Sequence, residues 1–273
     1  MEEFTQEEKE VLKPFFTNLD KPIFALVNLP EVVKGALFSR YSRSTKSLRR
    51  VLLDEFIMKP EMGFKEIVGF QTAKGEEQIV AVKKAEEFYD RVLVGYGDDS
   101  VAELGGANLA CEQISQIAAK VIEAPRIGLS PLEKSTRYVW FNQKINGQYQ
   151  YVRDPVIMGS RFADLYIDTC DLLFDTYSRL TEPMTKWVME RFPKEESITD
   201  RAYNSAVRAK ACDILRVFLP ASTMTNVGLY GNGRAFEYLM VKMYAHPLAE
   251  IRQLAATIHE ELSKVVPSFV KIQ

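Results

Sequence analysis

The run Ser130-Pro131-Leu132-Glu133-Lys134-Ser135-Thr136-Arg137-Tyr138 is the densest polar cluster directly before a stretch of strand character. A turn here would converge the Ser135 hydroxyl with backbone N–H groups, and the planar fork of Arg137 adds parallel donors. Together these suit a phosphate dianion. The same residues would also make an ordinary charged turn with Glu133 and Arg137 paired at the surface. Arg216 lies between Leu215 and Phe218 on an apolar helical face, so it needs an anion, which a structural carboxylate or a ligand supplies equally well. Asn232-Gly233-Arg234 opens a helical pattern, where free N–H groups and the helix dipole favour an anion. Asn232 is also simply a good N-cap.

Other clusters carry weaker chemistry. Arg40, Arg43, Lys46, Arg49 and Arg50 fall in a stretch without an acid, suited either to a nucleotide tail or to a solvated helix face. Asp98, Asp99 and Glu103 offer oxygen ligands for a divalent cation, or favour the start of the next element while staying solvated; no metal site is expected. Two histidines, His246 and His259, sit in no metal or triad motif. Cys111, Cys170 and Cys212 form no C-x-x-C pair, which points to small buried hydrophobes in a reducing, cytoplasmic setting.

The elements that must position these residues are those of a globular protein. The 273 residues carry 35 basic and 37 acidic side chains, a net charge of -2 that gives no global field for nucleic acid or an anionic membrane. Hydrophobic residues at 47% and charged residues at 26% exclude disordered and low-complexity classes. The acidic start is unlike a signal peptide, and no apolar run approaches the roughly 18 residues that span a bilayer. Residues 4–16 read as a helix interrupted at Lys13-Pro14, and Leu29-Pro30 opens another. Leu48, Leu52 and Phe56 mark a third. Val80 to Leu93 is helical, and a strand from Val101 passes into a helix over Ser115 to Glu123. Residues 137–141 and 148–152 are predicted as strands of a hairpin turning at Asn146-Gly147. A long helix over Ala163–Arg191 follows, then one ending at Leu219-Pro220, a β-like piece over Ala221–Leu229, and two final helices. The class is α+β, helices around a modest, mainly antiparallel sheet. It divides into an N-terminal helical extension, 1–34, and one domain, 35–273.

Glu133-Lys134-Ser135-Thr136-Arg137-Tyr138, Arg216-Val217-Phe218-Leu219-Pro220, Asn232-Gly233-Arg234 and Glu250-Ile251, in this order, resemble the motifs of the flavin-dependent thymidylate synthases. Ala36 to Ser42 and Gly97 to Glu103 are similar to the family's two upstream elements. The resemblance implies a homotetramer that binds FAD across subunits and methylates dUMP or a related pyrimidine nucleotide, with methylenetetrahydrofolate and NADPH as co-substrates and no cysteine nucleophile. It places Glu133, Ser135, Arg137 and Arg216 around the nucleotide, and Arg40, Ser42, Ser100, Glu103, Arg126, Asn232 and Arg234 around the flavin. It also implies that Arg40, Arg43, Arg126, Arg137, Arg216 and Arg234 converge. Several positions depart from the pattern. The family's Arg-His-Arg signature reads Ala124-Pro125-Arg126, and its two upstream histidines read Asp98 and Leu104. Leu132, Tyr238 and Met243 replace two asparagines and an arginine. The phosphate side is therefore retained while the flavin side is eroded, which admits either a divergent enzyme or a degenerate nucleotide-binding or structural subunit that pairs with an intact one.

Overall fold

The computed structural model describes residues 2–60, 64, 102–266 and 270. The predicted helix over Val80–Leu93 and the turn at Gly95–Ser100 lie outside the described residues.

The first helix, α1 (Gln6–Leu12), starts at a reciprocal cap in which Thr5 and Glu8 each accept the other's backbone N–H. It tightens into a 3-10 turn at Lys13–Phe15, where Pro14 cannot donate. Helix α2 (Glu31–Tyr41) follows, then α3 (Leu48–Val51), capped by Ser47 and continued by a π-helical turn over Leu52–Ile57. Leu12, Phe16, Val33, Leu37, Leu52 and Phe56 bury one another in a single cluster drawn from residues 4–64.

Strand β1 (Gly106–Ser115) runs into α4 (Gln116–Glu123), as the sequence predicts. Ser115 caps α4 by accepting from Ala118 N, and Glu250 holds Ser115 in turn, accepting from its N–H at 2.8 Å and its hydroxyl at 2.7 Å. Next come β2 (Leu129–Glu133), the short α5 (Pro155–Met158), the long α6 (Ala163–Arg191) and α7 (Asp200–Leu215). A 3-10 turn at Arg216–Phe218 leads to β3 (Met224–Asn232), α8 (Gly233–Tyr244) and α9 (Ala249–Ser263).

The sheet order is β1-β3-β2, antiparallel throughout. Thr225, Val227, Leu229 and Gly231 of β3 point inward, onto a core completed by Ala118 and Ile122 of α4, Leu239 and Met243 of α8 and Ile251 and Ile258 of α9. Asn226, Gly228 and Tyr230 alternate to the other face and are exposed. At Gly231 a Cβ would stand 2.4 Å from Leu129 Cδ2, so the close approach of β2 requires glycine there.

The predicted strands at 137–141 and 148–152 require correction. Asn146-Gly147 does form a tight turn with positive φ at both residues, closed by a bridge between Ile145 and Gln148. Its arms do not pair further. Residues 135–139 make a turn in which Tyr138 and Val139 donate to Ser135 O, and Tyr151 forms an isolated bridge with Thr223. The aromatic residues serve helix packing instead. Tyr149 stacks on Phe174 at 5.0 Å and donates to Asp175, while Tyr151 donates to Asp171, both acceptors on α6. The strand falls earlier, at Leu129–Glu133, where an edge position tolerates Pro131.

Candidate functional site

Two of the sequence-predicted phosphate residues come together. Arg137 leaves the turn that follows β2, and Arg216 caps the C-terminal end of α7. Both guanidiniums approach one oxygen of Asp213, Arg137 Nε at 3.3 Å and Arg216 Nη2 at 3.0 Å. That Oδ1 is buried, and neither N–H is aimed at it for a hydrogen bond. The two arginine side chains stay 53% and 46% exposed, so their remaining donors face solvent. Ser135 sets the approach of Arg137, because its Oγ accepts from the Arg137 N–H at 3.2 Å. The cluster carries two cations against one anion, a net attraction for a phosphate.

Glu133 is placed differently from Ser135 and Arg137. It sits opposite Val227 in the ladder, so its side chain points to the inner face of the sheet. Its Oε1 is buried without a hydrogen bond, and burial pushes the carboxyl above its ordinary 4.5, with Thr225 and Gln116 favouring the charged form. As placed, Glu133 supports the strand that precedes the turn at Ser135.

The flavin-side residues lie elsewhere. Asn232 ends β3 five residues beyond Val227, roughly 17 Å along the strand from the Glu133 register position. Its Oδ1 accepts from Ala235 N at 2.8 Å, an N-cap bond. Arg234, on the first turn of α8, pairs with Glu103 at 3.1 Å, both side chains 53% exposed. Arg126 is exposed just before the turn at Gly128. Ser100 lies outside the described residues, as do Asp98 and Asp99. Arg40 pairs with Glu55, and the Ser42 hydroxyl donates to Ser39 O at 2.8 Å. Ser42 also lines a shallow polar cleft of about 570 Å³ with Glu2, Tyr41, Ser44, Thr45, Lys46 and Ser47. The structure thus joins Arg137 with Arg216 and Arg234 with Glu103, but sets these two pairs at opposite ends of the sheet.

In the basic run, Arg49, Arg50 and Lys46 are held by partners within the N-terminal cluster. Arg49 is buried, donating to Asn18 O, Asn18 Oδ1 and Lys21 O, with its guanidinium 3.7 Å from the Phe24 ring centroid. Arg50 pairs with Glu8 at 2.7 Å and Lys46 with Asp54 at 2.8 Å. The acids absent from the run come from α1 and the π-helical turn. All three cysteines are buried thiols, and burial pushes Cys111 up to about 11. Among the described residues no group of three or more metal-ligating side chains assembles, and no helix is long and apolar enough to cross a membrane.

A one-sided antiparallel sheet, backed by helices and carrying a pair of half-exposed arginines at one end, defines an α+β protein. The family model for the thymidylate synthase complementing protein matches residues 47–268, and the chain belongs to that family. A UPF0159 protein of Chlamydia muridarum is 50% identical over 268 residues, 98% of this chain and 50% of the relative. One of Chlamydia pneumoniae is 51% identical over 271 residues, covering 98% and 50%. One of Thermoplasma acidophilum is 36% identical, covering 87% and 48%. The chain therefore spans about half the length of the curated relatives it matches. Among solved structures, the flavin-dependent thymidylate synthase ThyX of Helicobacter pylori, complexed with FAD and dUMP, aligns at TM-score 0.48 and 13% identity over 89% of this chain and 96% of that one. The UMP/dUMP methylase PolB of Streptomyces cacaoi aligns at 0.44 and 16% over 89% of each.

Proposed function

We propose that the chain binds a pyrimidine nucleoside monophosphate through Arg137 and Arg216 and serves a thymidylate synthase-like methylation of dUMP or a related nucleotide. The observation that carries this reading is the pair of half-exposed guanidiniums with a net positive charge, in a chain of this family. The arginine forks would hold the phosphate, and the Ser135 turn would fix the approach of Arg137. The reading includes FAD, methylenetetrahydrofolate and NADPH as the partners of the reaction, in a cytoplasmic homo-oligomer. The exposed sheet face, with Leu132 at 80% and Tyr230 at 52%, supports assembly.

The described residues of one chain do not close around a flavin. Ala124 and Pro125 offer no side-chain donors, the Asn232 oxygen is engaged as a cap, and Arg234 is paired with Glu103. These same observations favour a second reading, a nucleotide-binding subunit whose flavin contacts come from another chain.

Calorimetry with dUMP tests the shared core of both readings. Arg137→Ala and Arg216→Ala should each weaken binding tenfold or more, on the order of 1.4 kcal/mol. Absence of dUMP binding by the unmutated chain overturns the phosphate site. Absorbance separates the two readings: a flavin spectrum that bleaches with NADPH supports the enzyme, and a colourless protein that takes up no FAD leaves the binding subunit.

A further inference from the structure

We propose that Asp213 is a positioning residue that sets the Arg137 and Arg216 forks side by side for the phosphate of a nucleoside monophosphate, an inference that rests on the phosphate-site reading above. Asp213 lies in the last turn of α7, three residues before Arg216. An acid there faces the negative end of the helix dipole, so the energetics of the helix itself do not favour it. What compensates is the arginine pair. Arg216 comes from the same helix end and Arg137 from the turn after β2, two segments far apart in sequence, and both meet the same oxygen.

Burial separates the roles of the three groups. Asp213 Oδ1 is sealed from solvent, while the two guanidiniums are about half exposed. That oxygen therefore lies beneath the forks, while the Asp213 side chain as a whole is 31% exposed. The nitrogens approach it at ion-pair distance without directing their N–H groups at it, which leaves those donors for an incoming anion. Without this carboxylate, two like charges held close would repel and swing apart toward water. With it, the forks stay together and the cluster keeps one net positive charge. Ser135 pins the backbone of Arg137 from the other side, so the residue is held at its main chain by Ser135 and at its guanidinium by Asp213.

The test is calorimetry of the full chain with dUMP and, separately, with deoxyuridine, which lacks the phosphate. Asp213→Asn should weaken dUMP binding tenfold or more, leaving the weaker deoxyuridine binding and the melting temperature close to those of the unmutated chain. Asp213→Glu, whose longer carboxylate still reaches both half-exposed forks, should keep dUMP affinity within about threefold. If the unmutated chain binds no dUMP, the phosphate-site reading fails. If it binds and Asp213→Asn binds equally well, or loses dUMP and deoxyuridine alike, the positioning role fails on its own. Should Asp213→Asn not fold, Asp213→Glu decides: a folded variant that has lost dUMP tenfold overturns the proposal.

Discussion

The molecule carries two clusters of arginines that use the same side chain to opposite ends. In the N-terminal cluster every cation shown with a partner is matched by an acid or by carbonyl oxygens: Arg49 by Asn18 and Lys21, Arg50 by Glu8 and Asp54, Lys46 by Asp54. In the second cluster, two arginines meet one buried carboxylate oxygen and remain half exposed. The ratio of anions to cations, together with burial, distinguishes the N-terminal cluster from the one proposed to bind phosphate. Residue type and local density do not. The basic run is the richer of the two in sequence, yet the excess positive charge open to solvent lies at Arg137 and Arg216.

The sharpest way to break this contrast is to remove one arginine from each side and compare what is lost. Arg49→Ala deletes three charge-assisted bonds made by a buried guanidinium, so it should lower unfolding free energy by about 3 kcal/mol. Urea denaturation measures this, and dUMP affinity of the folded fraction should be unchanged. A loss of affinity with little loss of stability would place the N-terminal cluster in the binding site and undo the distinction. Salt gives a smaller, complementary response. Raising ionic strength from about 0.05 to 0.5 M shortens the screening length from roughly 14 to 4 Å. It should weaken dUMP binding several-fold through the exposed forks, while the stability difference between Arg49→Ala and the unmutated chain stays within error. Equal salt sensitivity in both would mean that the phosphate forks are not the exposed partners.

The difference between the clusters also explains what the sequence could reveal. The long helix over Ala163–Arg191 and the final two helices were legible, because their apolar periodicity is strong and continuous. So was the tight turn at Asn146-Gly147. Strand β2 was hidden, because Ser130-Pro131-Leu132-Glu133 has the composition of a turn and only an edge position makes it a strand. Trp140, Phe141, Tyr149 and Tyr151 mimicked strands while packing in a cluster with α6. The ordered motifs marked Arg137 and Arg216, but whether a cation is free or paired depends on acids brought from distant segments. For Arg50 that acid is Glu8, and for Arg137 it is Asp213. Asp213 did leave one readable signal, an acid in the last helical turn three residues before an arginine.

The two regions should also answer pH with opposite signs. Glu8 is held below its ordinary value, first by its hydrogen bond to Arg50 and then by the Thr5 N–H. Its contribution is present above 4.5 and is lost as pH falls through the depressed value. Glu133, raised by burial, binds its proton more tightly in the folded chain than in the unfolded one. Its contribution is present below 4.5 and is lost as pH rises through the raised value. Gln116 and Thr225 face it and Glu123 and Lys120 lie near, and of these the Glu123 charge pushes in the same direction as burial. Glu133→Gln should therefore shift the urea midpoint upward more at pH 8 than at pH 4, and Glu8→Gln should lower it more at pH 8 than at pH 4. If Glu133→Gln moves the midpoint equally at both, the carboxyl is not titrating behind β2. The strand leading into Ser135 and Arg137 would then rest on packing alone.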